Sequence, residues 1–224
     1  MTMLLTKSLR MFFDSVEHPS DKWDSYFEVY EKHLAKFVMV GRPVTLVEVG
    51  VQKGGSLDMW GKYFPPKSRI IGIDIDPECA QLKYDNPNIE VVIGDQSDPS
   101  FWDSFLNGKS IDVFIDDGGH FMDQQILTFE KVFPVLNTGG VYICEDTHTS
   151  YMQYNGGGLH RKDSWIEYSK YFIDTLHKNW YSDSDPNQDE INVKADGLSA
   201  VSYYDSMVVL EKDGNRRLNR VSPK

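Results

Sequence analysis

Between residues 44 and 145 the chain alternates short apolar runs with longer segments whose apolar residues recur at helical spacing. The runs 44–49, 69–74, 89–94, 111–116 and 140–145 are apolar on both faces. That is the pattern of parallel strands buried inside a sheet, where helices cover both sides. Helical patterns separate them at Ser56 to Tyr63, Pro77 to Lys83, Pro99 to Leu106 and Met122 to Leu136. In the last of these, Met122, Ile126, Phe129, Phe133 and Leu136 step by four and three, which places them on one helical face. Asp76-Pro77 and Asp98-Pro99 each combine a capping carboxylate with proline at the first helical position. Strands alternating with helices predict an α/β fold with a doubly wound, Rossmann-like sheet, mostly parallel and covered by helices on both faces.

The flanks extend this picture. Residues 4–13 predict a short helix, and Ser20-Asp21 predicts the cap of a longer one from about Lys22 to Phe37. Along it Trp23, Tyr26, Phe27, Tyr30, Leu34 and Phe37 form an aromatic stripe that should pack on the sheet, with Lys22 and Tyr30 free to act in a lid. Residues 147–162 break the rhythm with Tyr151, Tyr154 and three consecutive glycines, Gly156 to Gly158, as expected of a substrate flap. A helix over 163–180, an acidic loop at 181–190 and a closing antiparallel hairpin, 198–204 and 207–211, complete the order. The division expected is a helical lid at 1–40, a main domain at 41–212 and a tail at 213–224.

Composition narrows the function. A chain of 224 residues supports one well-packed domain, and its net charge of −11 disfavours nucleic acid, which needs a basic face. Cys79 and Cys144 stand outside any CxxC pattern, which argues against a zinc site or a disulfide framework. No signal peptide or membrane span is apparent, so the cytoplasm is expected.

The chemistry gathers at strand ends. The first strand closes in Glu48-Val49-Gly50, followed by Gly54-Gly55-Ser56, a turn that lets backbone approach a ligand but lacks the GxGxxG dinucleotide spacing. Asp74 ends the second strand, where an acid can accept hydrogen bonds from ribose hydroxyls, while Asp76 reads as a helix cap. Asp95 and Gln96 end the third strand, within reach of an adenine edge. Asp116-Asp117-Gly118-Gly119-His120 and Glu145-Asp146 end the fourth and fifth. If those strands are neighbours, hard oxygen donors and an imidazole meet at one crevice, a set suited to magnesium rather than zinc.

Taken together, these motifs resemble class I S-adenosylmethionine-dependent methyltransferases. More narrowly, the chain is similar to metal-dependent sugar O-methyltransferases of macrolide and rhamnosylated antibiotics, relatives of the cephalosporin hydroxylase group. The similarity also takes in Ser20-Asp21-Lys22, Tyr30-Glu31 and the hairpin run Tyr203 to Val209, so it spans about residues 20 to 212. Gly119 departs from it, since serine is expected there. The resemblance implies S-adenosylmethionine and Mg2+ as cofactors and a sugar or glycoside as small-molecule partner. It implies Asp117, Glu145 and Asp146 on the metal, His120 as general base, and Asp116 turned toward the cofactor's amino-acid end. Lys22, Tyr30, Glu48, Gly50, Gly55, Ser56, Asp74, Asp95, Gln96 and Asp116 are then the expected cofactor contacts. His148 is a second candidate base. A catechol-like phenol methyltransferase and a non-catalytic cofactor-binding protein stay open as alternatives, as does assembly into a homo-oligomer.

Overall fold

The apolar runs become strands wherever two layers of helix can bury them. The structure, a computed structural model, describes residues 8–180, 195–214, 220 and 222. Its strands are β1 (Thr45–Val49), β2 (Arg69–Asp74), β3 (Ile89–Ile93), β4 (Ile111–Asp116), β5 (Leu136–Cys144), β6 (Leu198–Tyr204) and β7 (Met207–Lys212). They form one sheet in the order β3-β2-β1-β4-β5-β7-β6. The pairs among β1 to β5 are parallel, and β7 runs antiparallel to both β5 and β6. Strand order reverses between β1 and β4, and open α/β sheets bind ligands outside the carboxyl ends of strands at such a switch point.

Side chains alternate across the pleat, so each strand feeds two cores. Leu46, Val113, Ile115, Val141, Ile143 and Val209 face α1 (Leu9–Phe13), α2 (Asp24–Val40) and α3 (Gly55–Tyr63). Val47, Val49, Phe114, Tyr142, Val208 and Leu210 face α4 (Pro99–Leu106), α5 (Met122–Val132) and α6 (Trp165–Leu176). This is the doubly wound arrangement expected. Among the described residues no helix is long and apolar enough to cross a membrane.

Several boundaries differ from the sequence reading, each for a local reason. Pro77–Gln81 is a 3-10 turn rather than an α-helix, although Asp76 caps it by accepting from the Glu78 N–H. The amphipathic helix stops at Val132, because Pro134 cannot supply the next N–H and the chain tightens into a 3-10 turn over Phe133–Val135. Ser20 and Asp21 cap nothing: α2 begins at Asp24, and residues 14–23 form an irregular strap between α1 and α2. The expected 163–180 helix is α6 followed by a 3-10 turn at Lys178–Trp180, with Ser164 accepting from the Glu167 N–H at its start. The acidic loop at 181–190 and most of the tail at 213–224 lie outside the described residues.

Phe129 is the hub of the second core. Fully buried on α5, it contacts the rings of Phe133, Tyr142, Trp165, Tyr168 and Phe172. Phe129→Ala is expected to destabilise the fold by about 3–5 kcal/mol, read as a lowered urea midpoint. A loss below about 1 kcal/mol would show that this layer repacks freely.

Candidate active site

At the switch point β1 runs out at Gly50, whose φ of +96° is closed to most side chains. A Cβ there would sit 1.9 Å from the Asp117 carbonyl oxygen, so only glycine lets the β1 and β4 ends approach this closely. The turn is tied to β2 by Asp74, whose Oδ2 accepts from the Val51 N–H (2.8 Å) and Gln52 N–H (2.9 Å). Its Oδ1 accepts from the Asp76 N–H at 2.9 Å. Burial opposes the charge of Asp74, yet these backbone donors hold its carboxyl below the usual range. Asp74 therefore has a structural duty as a clamp that its sequence position did not announce. Gly55 is bare for a different reason: a Cβ on it would meet the His18 and Pro19 carbonyl oxygens at 2.5 and 2.8 Å, where the strap crosses the start of α3.

The strap carries Lys22 into a cage of acids. Its Nζ donates to Asp117 Oδ2 at 2.5 Å and Glu145 Oε2 at 2.8 Å, with Glu48 Oε1 at 3.5 Å, and its side chain is only 4% exposed. Tyr30 donates its hydroxyl to Glu145 Oε1, and Ser56 (2.8 Å) and Trp60 Nε1 (3.2 Å) donate to Glu48 Oε2. Burial would neutralise the lysine, but Asp117, Glu145, Tyr30 and Glu48 together raise its pKa well above the ordinary value. One ammonium does not balance three carboxylates. Burial and the neighbouring Asp117 accordingly push Glu145 well up, and burial pushes Glu48 up to about 7 against the pull of Lys22.

Asp117 also belongs to a second set. Ligand atoms of Asp117, His120 and Asp146 lie within 4.8 Å of one another, and so, separately, do those of Glu48, Asp117 and Glu145. The three expected metal ligands are thus divided, with Asp117 common to both sets. His120 Nε2 is 3.4 Å from Asp146 Oδ2, while its Nδ1 is buried with no partner among the described residues. Tyr26, absent from the expected site, donates its hydroxyl to Asp146 Oδ1 at 2.7 Å. Tyr26 and Tyr30 thus present two hydroxyls, one turn apart on α2, to the consecutive acids Asp146 and Glu145. A pair of tyrosines at i and i+4 in a buried stripe was the available signal, because buried hydroxyls need partners. His148, the second candidate base, is bonded through Nδ1 to Ser206 Oγ.

These groups open into two adjoining crevices. The larger, about 440 Å³, lies between strap residues Pro19 to Trp23, the Gly50 to Lys53 turn, and Ser56, Asp117, His120, Glu145, Asp146 and His148. The smaller, about 220 Å³, is lined by Gly50, Gln52, Asp74, Ile75, Gly94, Asp95, Gln96 and the Asp117 to Gly119 backbone turn. Gly50, Gln52 and Asp117 are shared between them. Ile75, 65% exposed, is an apolar wall that the sequence reading passed over.

One expected contact is turned elsewhere. Asp116 shares the pleat face of Phe114, so its side chain enters the α4–α5 layer, fully buried and lining neither crevice. There it accepts from Gln96 Nε2 (2.7 Å) and the Tyr142 hydroxyl (3.1 Å), and burial pushes its carboxyl up to about 7 despite those donors. The Gln96 amide is fully engaged, since Nε2 also donates to Thr128 Oγ1 and Oε1 accepts from the Gly119 N–H. Asp95 accepts from the Ser97 N–H and hydroxyl.

Comparison with known proteins bears on this geometry. Residues 47–147 match a family described as "Methyltransferase domain". The chain is 35% identical over 178 residues to the 8-demethyl-8-alpha-L-rhamnosyl tetracenomycin-C 2'-O-methyltransferase of Streptomyces olivaceus, covering 75% of this chain and 46% of that protein. It is 28% identical over 197 residues to the mycinamicin VI 2''-O-methyltransferase of Micromonospora griseorubida, covering 83% of this chain and 47% of that one. The crystal structure of MycE methyltransferase from the mycinamycin biosynthetic pathway, in complex with Mg and SAH, superposes with a TM-score of 0.81 at 25% identity. That match covers 93% of this chain and 55% of that one. The chain spans about half the length of the curated relatives it matches.

Asp116 supplies a pH test. Its folded-state pKa of about 7 lies above the roughly 4 of an unfolded aspartate, so between those values the folded state holds the extra proton. Stability contributed by this group is therefore present at low pH, falls as pH rises from about 4 to about 7, and is flat above. Asp116→Asn should flatten that fall, narrowing the loss of Tm between pH 5 and pH 8 in a thermal-shift series. Parallel curves for the two proteins would contradict the assignment.

Proposed function

We propose that the chain, whose residues 47–147 match a methyltransferase-domain family, transfers a methyl group from S-adenosylmethionine to a hydroxyl of a sugar or glycosylated small molecule, with Mg2+ or another hard divalent cation at the carboxylates. The observation that carries the reading is the meeting of Asp117, His120 and Asp146 in the larger crevice, directly beside the glycine turn.

The residues present fit both cofactors. In the smaller crevice Gly50, Gly94, Gly118 and Gly119 leave the backbone bare, Asp74 stands at the end of β2, and Ile75 offers an apolar surface to a flat base. Gly50, Gln52 and Asp117 join this crevice to the larger one, where the acids lie. Asp117, Glu145 and Asp146 are hard oxygen donors of the kind Mg2+ selects, and the cage sets three carboxyl groups around the single ammonium of Lys22. Those three residues would hold the ion.

When bound, the cation would lower the pKa of an acceptor hydroxyl, which is otherwise a poor nucleophile near neutral pH. The protein's own residues do the rest. His120, through Nε2, takes the hydroxyl proton as the oxygen attacks the methyl carbon, and the carbon–sulfur bond breaks to release the thioether. Asp146 Oδ2 lies 3.4 Å from that nitrogen. Tyr26 holds Asp146 in place from behind, and the buried α2 wall limits water. Tyr151, Met152 and Tyr154, exposed in the 147–162 segment, provide an apolar surface for the part of the acceptor beyond its sugar.

Methyl transfer to O-rhamnosides in the presence of Mg2+ tests the proposal. His120→Ala is expected to lower kcat by about 10²–10⁴-fold while leaving the dissociation constant of S-adenosylhomocysteine within about twofold. An unchanged kcat would remove His120 from the chemistry. Turnover of catechols but not of glycosides would move the acceptor class to phenols.

A further inference from the structure

Lys22 sits where two kinds of cation have a claim. Its ammonium, 2.5 and 2.8 Å from Asp117 Oδ2 and Glu145 Oε2, fills the space between two of the three acids assigned to the divalent ion above. Glu145 has no uncommitted oxygen, since Tyr30 bonds the other one. The Glu145 ligand atoms cluster with those of Glu48 and Asp117, not with Asp146. Mg2+ needs its oxygens at about 2.0–2.1 Å in octahedral order, and it repels an ammonium on the same oxygens. The lysine also belongs to the strap, which has no regular secondary structure over residues 14–23. Besides Lys22, that strap is tied by the Glu17 N–H on Asp58 Oδ2, by Lys62 Nζ on the Ser15 carbonyl oxygen (2.7 Å), and by the packing of His18 on Tyr84 and of His18 and Pro19 over Gly55. It forms one wall of the larger crevice, from Pro19 to Trp23.

We propose that Lys22 is the chain's own counter-cation for this cage and competes with the divalent ion for Asp117 and Glu145, so that ion binding is coupled to withdrawal of the strap. The inference rests on the metal reading above and adds a cost to it. The acids are neutralised in part without the ion, so the fold does not depend on metal, and the ion must displace an intramolecular rival. Withdrawal of Lys22 also frees Glu145 to turn toward Asp146 and shifts the wall past which ligands enter.

The test uses Mg2+ alone, titrated calorimetrically into the wild type and Lys22→Met, each checked for folding by circular dichroism. Removing the rival should tighten Mg2+ binding roughly tenfold or more, within the usual range of such couplings. Equal or weaker binding by a folded Lys22→Met protein would overturn the proposal, leaving the metal reading intact. Should that variant not fold, amine-acylation footprinting of the wild type decides. Lys22, buried, should label slowly relative to exposed Lys53 without Mg2+ and several-fold faster at saturating Mg2+. Labelling of Lys22 that does not respond to bound Mg2+ would overturn the proposal. Absence of Mg2+ binding to either protein would overturn the metal reading and the competition together.

Discussion

One ammonium among three carboxylates governs the carboxyl edge of the sheet in this protein. Each ion of such a set loses hydration worth several kcal/mol on burial, and only close pairing recovers it. Lys22 recovers part of it for Glu48, Asp117 and Glu145, which come from the ends of three adjacent strands, β1, β4 and β5. A single side chain from the N-terminal strap thus fastens the strand ends electrostatically, while Tyr26 and Tyr30 fasten the same edge from α2. The strap, α2 and the sheet are one electrostatic unit. The unit holds more carboxyl groups than ammonium, and a further cation would favour their charged forms.

Around this cage the backbone is held in conformations that side chains seldom adopt. Gln52, His120 and Asp146, which line the larger crevice, and Ser206, which bonds Tyr26 and His148, all have positive φ. Non-glycine residues in that region cost of order 1 kcal/mol or more each, and such strain collects at sites where direction matters more than stability. Asp146 shows why it is tolerated here. Its left-handed turn takes the chain off β5 so that its carboxylate faces His120, whereas Glu145, one residue earlier, faces Lys22 and Tyr30. Two neighbouring acids thereby serve two different partners.

Much of this was legible in the sequence. Strand runs apolar on both faces and the Asp-Pro caps at Asp76 and Asp98 led directly to a doubly wound sheet, because burial and capping are local properties. The gathering of Asp117, His120, Glu145 and Asp146 followed from strand adjacency alone. The fate of Asp116 was implicit in the pleat, since it shares a face with Phe114, but choosing that face requires knowing which helices cover it. Gln96 followed Asp116 inward for the same reason. Lys22 was harder. It meets Asp117 and Glu145 across 95 and 123 residues of chain, and no spacing rule carries a contact of that range. Positive φ at His120 and Asp146 left no trace either, because neither position is glycine.

The central claim is that one sheet edge holds a nucleoside-sulfonium cofactor and a divalent cation in adjoining crevices. The most direct measurement is calorimetric titration of S-adenosylhomocysteine, with and without Mg2+, into the wild type and Asp117→Ala/Asp146→Ala. The account predicts one molecule of S-adenosylhomocysteine bound by either protein, with Mg2+ binding lost in the double variant. Failure of the wild type to bind S-adenosylhomocysteine under either condition would contradict it.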